Sequence, residues 1–339
     1  MRHNSLFRAC RSHECVPARD GQERCRSGLP SRTSRFDGRC STRQDLISQG
    51  CNISNLLRMI CVLFGLLAFV IGPGGVLAAE ESVGVAEIVE RANRVSYYQG
   101  EDGRARVRMV IADAQGRERN REFTILRRDN RPEEEAKMEA FKKDEFTGDQ
   151  RFYVYFHAPP DVEETVFMVW KHVSLDQDDD RWLYLPALDL VKRIAAGDER
   201  TSFVGSHFFY EDVSGRNTNE DEDELVRTTD TYYVLKNTPK EPKKVEFSHY
   251  RMWIHRDTFL PIKTEYFDER GEKYREYTVL SVENIEGYIT VTRAEMKDLR
   301  SGGKTVMSYS TVDYDVGLPK DIFTERYLRR APVEYLKGD

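Results

Sequence analysis

The sequence predicts a mainly β fold, one large and mostly antiparallel sheet with a few helices, formed by residues 80–339 as a single domain. Eleven or twelve short runs alternate apolar and polar residues with period two, the pattern of strands whose two faces differ. Turn-forming residues separate successive runs at Ala114-Gln115-Gly116, Glu269-Arg270-Gly271, Glu286-Gly287 and Ser301-Gly302-Gly303, which makes their flanks hairpin partners. These 260 residues suffice for a real core, and no Pro/Ser-rich linker divides them.

Two segments of different character precede the domain. Residues 1–58 carry eleven arginines and no lysine against Glu14, Asp20, Glu23, Asp37 and Asp45, with no apolar periodicity. Such a stretch cannot offset the entropy of ordering, so a disordered leader is expected, with translation starting nearer Leu56–Met59. Residues 59–79 follow Arg58 without a charge, apolar from Ile60 to Ile71, broken at Gly72, Pro73, Gly74 and Gly75, and small at Val76, Ala78 and Ala79. That order predicts a cleavable export signal. An uncleaved membrane anchor fits less well, because its dozen strongly apolar residues fall short of the roughly 20 that span a bilayer.

Cysteine and charge follow the same division. Cys10, Cys15, Cys25, Cys40, Cys51 and Cys61 all precede Glu80, so the exported domain would have no disulfide framework, thiol nucleophile or cysteine-ligated metal. Eleven arginines against five acids make the leader +6, so the −6 of the whole chain leaves about −12 for residues 80–339. An acidic domain argues against nucleic-acid binding.

In chain order, Val85, Ile88, Val89, Ala92 and Val95 recur at helical spacing and predict an amphipathic helix over Gly84–Tyr98. Strands are then expected at 105–111, 122–127, 151–157, 165–172, 182–185, 190–194, 225–235, 245–255, 261–267, 273–282, 288–299 and 304–314. Pro132–Lys143, with acids first and lysines last, reads as a short helix or solvated insertion. A last helix is expected over Asp321–Leu328, capped by Asp321.

The runs at 151–157 and 165–172 are apolar on both faces. Phe152, Val154 and Phe156 oppose Tyr153 and Tyr155, and Met168 and Trp170 lie within the unbroken Val166–Trp170. Both faces of such a strand must be covered. In a closed barrel or a wrapped sheet the second face is plain core; in a half-open barrel it lines a cavity for an apolar ligand.

The patterns of common catalysis are missing. Ser206 sits in V-G-S-H-F without the second glycine of a nucleophile elbow, and the adjacent His207 points away from it in extended chain. His249 and His255 are about 20 Å apart on one strand, too far to share an ion. The run Asp176, Asp178, Asp179, Asp180 starts like a calcium loop, but Arg181 and Ala187 stand where glycine and glutamate belong. It reads as a solvated hairpin tip, as does Glu220–Glu224. No catalytic residue, metal or cofactor is expected.

The stretch RWLYLPALDLVKRI, then SFVGSHFFYEDV, WIHRDTFLPIKTEYFDERG and GLPKDIFTERYL resembles the bacterial outer membrane lipoprotein-sorting protein family, a branch of the LolA-like periplasmic carriers. The resemblance covers residues 85–330, and departs from the family at His207, where most members carry Asp. It implies an exported periplasmic protein with an unclosed antiparallel β-barrel, a helical lid and a hydrophobic cavity. It also implies partners: lipid or lipoprotein acyl chains as cargo, and an inner-membrane resistance-nodulation-division (RND) type exporter or an outer-membrane acceptor.

Candidate cavity residues are Phe152, Val154, Phe156, Met168 and Trp170, with Trp182, Tyr184, Phe203, Phe208 and Trp253; parity alone cannot choose the inward face. Arg193, in an apolar run, is expected to pair with Glu211 or Asp212 and so pin the 198–212 loop, because a partly buried arginine without a carboxylate costs several kcal/mol. The alternative role for Arg193 is contact with a lipid headgroup. Two functional classes result: a lipid or lipoprotein carrier, and a non-enzymatic accessory subunit of an envelope export assembly, with a hydrolase a distant third.

Overall fold

Alternating runs joined by tight turns zip into adjacent antiparallel pairs, and the computed structural model, which describes residues 83–131 and 146–337, contains thirteen strands in one such sheet. These residues belong to one unit, Ala79–Asp339. The expectations for the leader, the export signal and a helix at Pro132–Lys143 lie outside the described residues.

The chain enters at the middle of the sheet. β1 (Asp102–Ala112), β2 (Glu118–Asp129), β3 (Gln150–Ala158), β4 (Val166–Lys171), β5 (Asp180–Leu185) and β6 (Leu190–Ile194) proceed outward to one edge. Residues 195–220 then cross to the other edge, where β7 (Asp221–Thr228) begins the return. β8 (Tyr232–Pro239), β9 (His249–His255), β10 (Pro261–Phe267), β11 (Lys273–Ile285), β12 (Tyr288–Asp298) and β13 (Gly303–Tyr314) lead back until β13 pairs with β1. β6 and β7 are the two edges, so the sheet is not closed into a barrel.

Register shifts add residues to one strand of the β1/β13, β2/β3 and β7/β8 pairs and to each strand of the β11/β12 pair, and such bulges raise the local twist that curls a long sheet. The predicted hairpin turns fall between consecutive strands. At Glu286-Gly287 both residues have positive φ, 55° and 93°, the geometry that lets a two-residue turn follow the strands' twist.

The run expected as one strand over 225–235 is two, β7 and β8. Its turn has no glycine, proline or asparagine; the Thr229 hydroxyl accepts from the Tyr232 and Thr231 amides instead. The acidic segment Glu220–Glu224, expected as a hairpin tip, is largely the first half of β7, with Asp221 buried. The helix expected over Asp321–Leu328 is also divided, into a 3-10 turn at Lys320–Phe323 and a separate short helix. Ile322 and Phe323 are both buried, and their packing overrides a continuous helical course.

The two faces of β2–β5 carry different cores. On the inner face Phe123, Phe152, Val154, Phe156 and Phe167 pack with Phe203, Phe208 and Tyr210 from the crossing segment, whose one α-helical stretch is α2 (Tyr210–Ser214). On the outer face Leu126, Tyr153, Met168 and Trp182 pack under the C-terminal segment, through Leu318, Phe323, Leu328 and Leu336. That segment contains α3 (Arg326–Arg329) and α4 (Val333–Leu336). Its backbone also takes the polar tips of the aromatics beneath it: Tyr153 Oη donates to Tyr327 O at 2.7 Å and Trp170 Nε1 to Phe323 O at 2.7 Å, as buried Tyr and Trp require.

At the other end of the inner face lies the first helix, α1 (Val85–Tyr97). Its apolar stripe, Ile88 and Ala92 foremost, packs on Tyr233, Leu235, Ile254 and Phe259 of β8, β9 and the turn after it. Glu87–Arg91 and Glu90–Arg94 pairs at 3.3 and 2.6 Å support its solvent face.

Candidate ligand-binding cavity

Between the inner face, α1 and the crossing segment the chain encloses a cavity of about 400 Å³. Its walls are mostly apolar, with Arg127, Glu211, Asp212 and Arg216 among the charged groups that reach it. Phe152, Phe203 and Phe208 close one end, Leu235, Met252 and Ile254 lie toward α1, and Tyr277, Met296, Met307 and Tyr309 make the middle of the floor. Phe203 is fixed by edge-to-face contacts with Phe123, Phe167 and Tyr210 at ring separations of 6.0, 5.6 and 5.6 Å.

Of the ten candidate cavity residues, Phe152, Phe203 and Phe208 line the cavity. Val154 and Phe156 share that face but are sealed within the adjoining core. Met168, Trp170, Trp182 and Tyr184 lie on the outer face against the C-terminal segment. This is a correction to their grouping with Phe152: β3 and β4 are apolar on both faces because a different layer covers each. Trp253 lies between Met252 and Ile254, which line the cavity, and its ring instead meets the Lys263 ammonium at 5.0 Å. Sequence reasoning missed Tyr277, Met296, Met307 and Tyr309 on β11–β13. On β11 Leu280 and Val282 are exposed while Tyr277 lines the cavity, so apolar composition alone does not name the inward face.

The expected Arg193 fastening is also corrected. Arg193 is 68% exposed on edge strand β6 and pairs with Asp180. Glu211 and Asp212 are held by other arginines. Glu211 lies 3.3 Å from Arg200 and 3.2 Å from Arg216, while Arg275 pairs with Asp212. Arg216 also pairs with Asp221 at 2.9 Å, and Tyr250 Oη donates to Asp221 at 2.7 Å. Asp212 further accepts the Phe209 amide at 2.6 Å at the start of α2. The crossing segment is thus tied to β7 through Arg216 and to β11 through Arg275 by buried charge, and Tyr250 links β9 to the same Asp221. Burial pushes the Glu211 carboxyl up to about 7 despite its two arginines.

Ser206 and His207 face different partners. The Ser206 hydroxyl bonds the Phe208 backbone, and the His207 ring meets the Thr305 hydroxyl at 2.8 Å. His249 stacks on Phe267 at 4.6 Å, and His255 bonds the Thr258 hydroxyl at 3.2 Å. Each has a packing role. Among the described residues no helix is long and apolar enough to cross a membrane.

An open antiparallel sheet whose inner face holds a helix and a crossing segment around an apolar cavity defines a LolA-like fold. Among solved structures, a LolA superfamily protein from Nitrosomonas europaea matches with a TM-score of 0.54 at 20% identity, over 73% of this chain and 100% of that one. A domain from Vibrio parahaemolyticus named for outer membrane lipoprotein sorting matches with a TM-score of 0.59 at 24% identity, over 73% of this chain and all of that one. A DUF1329 family protein from Desulfovibrio piger matches with a TM-score of 0.62 at 29% identity, with the same coverage. A family model described as "Uncharacterized protein" matches residues 148–330, more than half of the chain. The chain belongs to the family of that model, and the Desulfovibrio piger structure is its DUF1329 likeness. No curated protein matches it.

Proposed function

We propose that the protein is an exported, non-enzymatic carrier that holds the acyl chain of a phospholipid or lipoprotein in the inner-face cavity and moves it through the periplasm toward the outer membrane. The observation that carries this reading is the cavity itself. Its volume, about 400 Å³, falls within the roughly 300–1,000 Å³ of small-molecule sites, and aromatic rings and methionines make up much of its mostly apolar wall. Binding would be driven by apolar area removed from water, at about 25 cal/mol per Å². α1 contributes Val89, Ala92 and Val95 to the wall, which makes it the natural lid.

The fold shared with the lipoprotein-sorting and LolA superfamily structures supports the same reading. The test is organic extraction of protein purified from the cell envelope, followed by mass spectrometry. Stoichiometric phospholipid, fatty acid or acylated peptide is the expected result. An empty extract from protein that also fails to take up added lipid would overturn it, and a stable complex with an exporter in that case would favour an accessory subunit.

A further inference from the structure

A second, polar pocket of about 310 Å³ adjoins the apolar cavity, between α1, the end of β4 and residues 216–219. Val89, Asn93, Arg216, Thr218 and Asp223 stand in the walls of both. Four charged residues face this polar pocket: Glu90, Lys171, Arg216 and Asp223. Two of them are already committed, Glu90 to Arg94 and Arg216 to Glu211, Glu220 and Asp221.

The other two are not. Lys171 is only 3% exposed, and its ammonium donates to Ser214 O at 2.8 Å and lies 5.1 Å from the Tyr97 ring. Asp223 accepts a hydrogen bond from Asn237. Among the described residues neither Lys171 nor Asp223 has an ion-pair partner, and the two do not pair with each other. An ammonium has three N–H groups and a carboxylate two acceptor oxygens, so both retain capacity toward the pocket. Lys171 is buried and Asp223 half-buried, and a buried ammonium without a carboxylate partner is costly.

A simple anion on Lys171 would also face Asp223, and a simple cation on Asp223 would also face Lys171. A ligand bearing both charges satisfies both residues at once. We propose that the polar pocket binds the zwitterionic headgroup of an amino-phospholipid, with Lys171 donating to the phosphate and Asp223 accepting from the ammonium, while an acyl chain occupies the adjoining cavity. The inference rests on the carrier reading and adds the class of headgroup to it.

The test is calorimetric titration of the full-length protein with short-chain phosphatidylethanolamine, with phosphatidylglycerol of the same chains, and with a fatty acid. Phosphatidylethanolamine is expected to bind at least tenfold more tightly than phosphatidylglycerol. Lys171→Met should weaken phosphatidylethanolamine about tenfold and leave the fatty acid unchanged. Asp223→Asn, which keeps an acceptor for Asn237, should abolish the preference between the two phospholipids. Equal affinity of the wild type for both phospholipids, or a preference that survives Asp223→Asn, would overturn the headgroup assignment while fatty-acid binding left the carrier reading standing. Failure of all three lipids to bind would overturn both.

Discussion

Lys171 shows at the residue scale what an enclosed charge does to stability. Burial pulls its ammonium down to about 8, below the ordinary lysine value near 10.4. The unfolded chain therefore holds a proton between about pH 8 and 10.5 that the folded chain has released, so this group's contribution to stability rises with pH across that window and is a cost below it. Lys171→Met, of similar length and apolar, is expected to raise the unfolding free energy at pH 7 by about 1–3 kcal/mol, with the gain shrinking toward pH 10.5 in denaturant titrations. Glu211 behaves in the opposite window. With its carboxyl raised to about 7, the unfolded chain loses its proton first between about pH 4.5 and 7, so stability falls as pH rises through that range. Wild type should show this decline and Glu211→Gln should not. Lys171 has no signal in the sequence and Glu211 stands out there only as a partner for Arg193, because the identity of a charge's partners is settled by tertiary contacts. Arg193, in an apolar run, is exposed, whereas Arg275 and Arg216 lie inside and carry the pairing expected of it.

At the scale of elements, the sequence disclosed strands far better than what covers them. Helical spacing located α1, and period-two alternation with turn residues located nearly every strand but failed at Thr229-Asp230-Thr231, where the Thr229 hydroxyl does a turn's usual work. The apolar double faces of β3 and β4 were equally plain, yet alternation is symmetric between the two sides of a sheet. Only the return of the C-terminal segment, some 150 residues later in the chain, makes the Met168 and Trp182 side a sealed core. That cover is testable. Phe323 is 1% exposed, so Phe323→Ala should cost about 3–5 kcal/mol in chemical denaturation while leaving lipid affinity unchanged, since it lies on the face opposite the cavity. Gly215 couples the crossing segment to α1 in a different way. Its φ is +78°, and a Cβ there would sit 2.4–2.9 Å from ring carbons of Tyr97. Gly215→Ala should cost more than about 1 kcal/mol and also change lipid affinity, because Tyr97 lines the cavity.

For the whole molecule, the decisive property is that a sheet of thirteen strands stays open and fills its own interior incompletely. Two meanders meet at β1 and β13, with Met109 paired across the seam to Met307, and the cavity lies over that seam. Its existence was legible only as the alternative between core and cavity, because whether inward side chains meet depends on the curl of the sheet and on how far the crossing segment reaches in. An occupied cavity should stabilise the fold by mass action. At a lipid concentration of one hundred times Kd the gain is about 2.7 kcal/mol, which for a domain of this size raises Tm by roughly 5–10 °C. Met307→Trp puts an indole into that space. A cavity of about 400 Å³ can take the added volume without the strain of an overpacked core, so the lipid-free protein should keep its Tm within a few degrees. Added lipid should then raise it little or not at all. A lipid-induced rise as large in Met307→Trp as in the wild type would place the binding site elsewhere; its loss in a variant that remains folded would locate the acyl chain over the β1/β13 seam.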